Sequence, residues 1–152
     1  MAFVNSLMAT LHHLCAFTLS ACLIYEFVAF RKGLGVEEAR RIQRVDLWYG
    51  ISAGLLVAVG LLRVFYFEKG AAFYTSNLMF WVKMALFVIV GLLSIYPTIR
   101  YIKWNPTLAE SKPPVIPDAE YKNIRLLLLL EMIGLVLILF AAPAMARAIL
   151  ML

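Results

Sequence analysis

Two adjacent histidines, His12 and His13, lie inside an apolar run near the start of this 152-residue chain. Three further cations, Arg63, Lys83 and Arg147, interrupt other apolar runs. Placing an ionisable group inside a membrane costs a few kcal/mol, so each of these residues calls for a reason. His12 falls about nine residues into its run, or roughly 14 Å at the helical rise. Lys83 falls about five residues into its run and Arg63 about four from the end of its own, so that all could meet at one depth. Two imidazoles and three cations with no acid beside them suit an anion with an apolar body.

A haem meets that description, because it takes one or two axial ligands such as His or Met and needs cations for its propionates. Four-helix bundles commonly build cofactor sites between facing helices. In this scheme His12 or His13 ligates the metal, Arg63 and Lys83 face the propionates, and Tyr66 and Trp81 flank the group. Met8, Met79 and Met84 offer a second axial atom. Paired histidines on separate helices are absent from the sequence, so the expected haem b is singly His-ligated or shared between subunits. On the first run His12, Cys15, Cys22 and Glu26 fall in a stripe about 100° wide, which favours His12 as the inward-facing histidine. Lys83 and Glu131 are the candidates for catalysis. Glu131 is about nine residues into the last run, either as a proton site or as the partner of a cation.

Plainer roles stand beside these. Long basic side chains near helix ends reach back to the interface, and Tyr66, Tyr74 and Trp81 have the composition of an aromatic belt. A buried histidine is often only a hydrogen-bonded packing residue. Glu26 and Asp46 are expected to tie the first two runs to basic partners.

The elements that must position these residues are helices. Of the residues 64% are hydrophobic and only 15% charged, with a mean hydropathy of +0.88; soluble domains average about half apolar and a quarter charged. Apolar runs cover about residues 3–30, 47–67, 78–102 and 124–150. Each is long enough for a hydrocarbon core of about 30 Å. Backbone polar groups in lipid must be satisfied within the segment, so the runs are helices and the fold is an all-α, four-transmembrane-helix bundle in one domain. The net charge of +5 reflects bunching of Lys and Arg in loops, not a nucleic-acid surface. Arg31, Lys32, Arg40, Arg41 and Arg44 precede the second run, and Arg100, Lys103, Lys112, Lys122 and Arg125 surround the third connection. The positive-inside rule puts both connections in the cytoplasm and both termini on the periplasmic side of a bacterial inner membrane. The Pro-rich stretch 105–121 reads as a flexible cytoplasmic tether. Gly50 and Gly54 form a Gly-x-x-x-Gly step, a packing signal that suits a compact bundle or a homodimer. No secretory cleavage pattern precedes the first run. Cys15 and Cys22 lie too far apart along one helix to pair.

The runs LHHLCAFTLSACLIYE, DLWYGISAGLLVAVGLLRVFYF and FYTSNLMFWVKMALFVIVGLLSIYPT resemble an uncharacterised family of small bacterial four-helix inner-membrane proteins, over most of the chain. A narrower resemblance, through Leu11-His12 and Trp81-Val82-Lys83, is to the HemJ-type protoporphyrinogen oxidases and CopD-type membrane proteins. It implies a haem-binding role for His12 or His13 and a need for Lys83 in activity. Tyr96-Pro97 stands at the far end of the third run, where this pattern would place another histidine. Three functions are therefore in view: a haem- or porphyrin-binding protein, conceivably an oxidoreductase; a small proton-coupled transporter; and a non-catalytic accessory subunit of a larger membrane complex. Copper held by the two histidines is a minor variant, lacking the dense Met/His clustering of soft-metal sites.

Overall fold

The computed structural model describes residues 2–67 and 71–147. Glu68, Lys69 and Gly70, and the expected end of the fourth run at residues 148–150, lie outside the described residues. The described chain is almost wholly helical. Its elements are α1 (Ala2–Ala29), α2 (Val36–Leu62) with a π-helical extension (Arg63–Phe67), α3 (Ala71–Thr75), α4 (Leu78–Ile102), α5 (Asn105–Ala109) and α6 (Asp118–Ala146). Four stretches are long and apolar enough to cross a membrane: Phe3–Ala29, Val36–Phe67, Leu78–Ala109 and Asp118–Met145. Phe17, Val28, Val136 and Phe140 all stand more than 60% exposed. An exterior this apolar is a liability in water and matches lipid.

The helices extend further into the basic connections than hydropathy alone indicates. Helix α2 begins at Val36 rather than near residue 47, because GVEEARRIQR carries good helix formers and its own start signal. Glu37 and Glu38 fill the first turn, where negative charge complements the helix dipole. Glu38 Oε2 accepts from Gly35 N at 2.9 Å while its other oxygen pairs with Arg31. Gly33, at φ +71°, turns the chain between α1 and α2. Helix α6 likewise starts at Asp118, six residues before the apolar run.

The stretch 105–121 is not a tether. Trp104 and Leu108 are buried, α5 forms a single helical turn, and Gln43 Nε2 donates to Tyr101 O at 2.6 Å and Asn105 Oδ1 at 2.9 Å. Arg40 donates to Leu108 O at 2.9 Å. Prolines fix φ and need no N–H partner, so they suit a docked elbow as well as a free one.

Antiparallel α1 and α2 form one close pair, and α4 and α6 the other. In the second pair, a Cβ at Gly134 would come within 2.5 Å of Val90 Cγ2, so only glycine lets these helices approach so closely. The Gly50/Gly54 step plays no such part within the chain: a Cβ at either would meet nothing within 4 Å. The main core lies at the end holding the α1–α2 and α4–α6 connections, which we call the loop end. Phe30 stacks there on Tyr121 (centroids 5.6 Å) and Trp104 (6.5 Å) and tilts against Tyr101 (6.0 Å). At the opposite, terminal end, Asn77 is fully buried. Its side chain caps α4 by accepting from Met79 N at 2.9 Å and donates to Met145 O at 3.0 Å.

Candidate functional site

A cleft of about 270 Å³ runs between the two helix pairs, with walls from α1, α2, α4 and α6. Its lining is mostly aliphatic and aromatic and includes Phe80, Phe87 and Leu135. Gly50 on α2 and Gly91 on α4 line it, are exposed, and would meet nothing within 4 Å if given a Cβ. The two helices therefore stand apart along this side, and the cleft opens laterally, toward what a membrane would supply as lipid.

At the terminal end His12, His13 and Lys83 line the cleft together. Helix α1 places both imidazoles on the cleft, with ring centroids 6.3 Å apart and planes inclined at 77°. His12 is the more deeply set, and His13 is exposed. A Cβ at Gly60 would lie 3.3 Å from His12 Cε1 and 3.6 Å from its Nδ1. The glycine thus makes room for the ring against the α2 backbone. Nδ1 is buried there with no hydrogen-bond partner, which leaves Nε2 as the nitrogen able to reach a ligand. Lys83 and Arg63 both lie within electrostatic reach of His12. Lys83 has no acid within ion-pair distance among the described residues.

The remaining expected site residues are arranged differently. Tyr66 is 77% exposed and Trp81 51%. The Trp81 indole donates to Thr75 O at 2.9 Å, so both residues sit on the outer surface and neither flanks the cleft. Arg147 is exposed beyond α6. Of the three methionines offered as second ligands, Met84 lines the cleft. Glu131 does not line the cleft with Lys83: it is buried in the bundle interior and bonded to Tyr49. No group of three or more His, Cys, Asp or Glu residues among those described has a metal-holding arrangement.

Around Glu131 lies a second constellation. Glu26 (2% exposed), Asp46 (8%) and Glu131 (1%) come from α1, α2 and α6. None has a basic partner among the described residues, contrary to the expected ion pairs of Glu26 and Asp46. The nearby arginines are engaged elsewhere: Arg100 pairs with Glu120, while Arg125 donates to Phe27 O and lies 4.1 Å from the Phe27 ring centroid. Tyr49 donates to Glu131 Oε2 at 3.0 Å and Thr98 to Asp46 Oδ1 at 2.7 Å. Tyr49 and Thr98 also line the cleft. One cavity thus is lined by Lys83 and two imidazoles at one end and, further along, by the donors that hold two buried carboxyls. Sequence alone brings out the acids and Tyr49, but not the hydroxyl bonds from Tyr49 and Thr98 that link the acids to the cleft.

Four spanning helices around a laterally open cleft define a polytopic helical membrane protein. The family model of DUF2214, described as a predicted membrane protein, matches residues 4–149. The chain belongs to that family. No curated protein and no solved structure gave a match.

Proposed function

We propose that this protein binds a haem or porphyrin in the cleft, with His12 as the axial ligand and Lys83 and Arg63 beside the anionic edge. The observation that carries this reading is the placement of His12 and Lys83, with His13, on one apolar cleft that is open toward lipid. A lipid-soluble, flat anion can enter sideways without crossing water, and a half-buried Lys83 with no acid within ion-pair distance among the described residues gains from a ligand that supplies negative charge. The residues fit a singly His-ligated group: Nε2 of His12 is available, the walls are apolar, and Met84 provides a thioether on the same cleft. A bound haem would supply electron transfer, which makes an oxidoreductase of HemJ-like type the finer form of the proposal.

The same reading puts the protein in a bacterial inner membrane. Ten of its fourteen Lys and Arg residues belong to the two connections at the loop end or to the helix turns beside them, which makes that end cytoplasmic and the termini periplasmic. Gly54, meeting nothing within its own chain, satisfies the condition for a homodimer along that face.

The test is an absorption spectrum of detergent-purified protein, oxidised and then dithionite-reduced, with haemin supplied during expression. A Soret band that shifts on reduction and is lost in His12→Ala is the expected result. A featureless spectrum would refute haem binding and move the function to transport or to an accessory role in a membrane complex.

A further inference from the structure

The acids of the loop end have no role in holding a ligand at the cleft mouth. We propose that Glu26, Asp46 and Glu131, with Tyr49 and Tyr101, form a proton-exchange site inside the membrane, reached from the cleft through Tyr49 and Thr98. The proposal goes beyond ligand binding at His12 and does not depend on it.

Three carboxyls in one layer are not tolerated in a low-dielectric interior as three free anions. Compensation has to come from a cation or from protons. The arginines of this layer are bound to Glu120 and to the Phe27 carbonyl, and the described residues offer no metal-holding group. Hydrogen bonds account for only part of the cluster's polar atoms. Glu26 Oε1 and Glu131 Oε1 are buried with no partner, and so is the hydroxyl of Tyr101, whose residue is 0% exposed. Tyr101 lies within electrostatic reach of all three acids. Unpaired acceptors on α1 and α6 and an unpaired hydroxyl on α4, within electrostatic reach of one another, are what a site needs if it is to accept or pass on a proton without first breaking an ion pair.

The route is in the same geometry. Tyr49 and Thr98 each have one side on the cleft and a hydroxyl bonded to a buried carboxyl. A hydroxyl can donate and accept at once, so each can relay a proton between a carboxyl behind it and water in the cleft. From Gly60, beside His12, to Tyr49 is eleven helical residues, or about 16 Å. The cleft therefore spans about half of a hydrocarbon core of roughly 30 Å. The groups that face the cluster are Cys22 and Glu26 from α1, Asp46 and Tyr49 from α2, Thr98 and Tyr101 from α4, and Glu131 from α6. The proton moves alone, with no bond made or broken other than O–H.

Infrared spectroscopy of the purified full-length protein tests this directly. The wild type is expected to show a protonated-carboxyl stretch near neutral pH that shifts in D₂O. Glu131→Gln and Glu26→Gln should each remove part of that band while circular dichroism stays helical. Gly50→Leu, which points a side chain into open space in the cleft beside Tyr49, should slow the deuterium shift severalfold without reducing the band. A spectrum unchanged by both acid substitutions would overturn the proton site, and a Gly50→Leu shift as fast as the wild type would overturn the route. Neither readout involves a haem, so failure here and failure of haem binding are separable.

Discussion

At the loop end Phe30 is enclosed by three aromatic rings, Arg100 pairs with Glu120, Arg125 donates to the Phe27 carbonyl, and the connection through α5 is docked. Toward the terminal end the helix pairs separate, Gly50 and Gly91 face open space, and Lys83 has no acid within ion-pair distance among the described residues. The same four helices build both ends, so the contrast comes from side-chain size and charge. Bulky aromatics at residues 30, 101, 104 and 121 fill the space between the pairs; Gly50 and Gly91 leave it empty. Close packing is concentrated where the chain has filled its interior with aromatics, and open space where small residues stand instead.

The contrast is broken most severely by Phe30→Ala. Truncating a fully buried phenylalanine costs about 3–5 kcal/mol, and here it also removes the ring on which Tyr121 and Trp104 stack. A large loss of thermal stability in detergent is expected, with the α5 connection becoming protease-sensitive. A melting temperature close to wild type would show that the loop end is not the stability centre.

Asn77→Ala sharpens the comparison at the other end. The side chain caps α4 and holds the last turns of α6 through Met145 O. Losing a cap costs about 0.5–2 kcal/mol. The expected melting shift is therefore smaller than for Phe30→Ala, and its structural effect should be confined to the terminal end. Hydrogen exchange reads that locality: faster exchange at the start of α4 with an unchanged loop end is the predicted pattern.

How much of this was legible beforehand differs between the ends. The bounds of α4 follow directly from hydropathy at residues 78–102, since Asn77 and the polar step after Ile102 mark both limits. The early starts of α2 and α6 were hidden because amphipathic, charged turns such as Val36–Arg44 read as loop when only apolarity is counted. At the mouth, His12 and Lys83 were visible from composition and depth alone. Trp81 could not be assigned correctly, since a helical position two residues from Lys83 faces some 160° away. Glu26 and Asp46 were misread for a different reason. Sequence places basic residues near them but does not say that Arg100 and Arg125 are committed to Glu120 and to a backbone carbonyl.

The smallest expected stability effect tests whether the open end is open by design. A Cβ at Gly91 would meet nothing within 4 Å, and replacing a mid-helix glycine by alanine removes a propensity penalty of about 1 kcal/mol in water. In a pure packing structure Gly91→Ala should then be neutral or slightly stabilising. Inside the cleft, however, the added methyl occupies space a ligand would use. The predicted combination is a melting temperature equal to or slightly above wild type together with weaker haemin uptake, measured by titrating the Soret band. Unchanged uptake would mean that the ligand does not reach the middle of the cleft and is held at the His12 mouth alone. A clear loss of stability would mean that the gap between α2 and α4 closes in the membrane, and the contrast between the two ends would lose its basis.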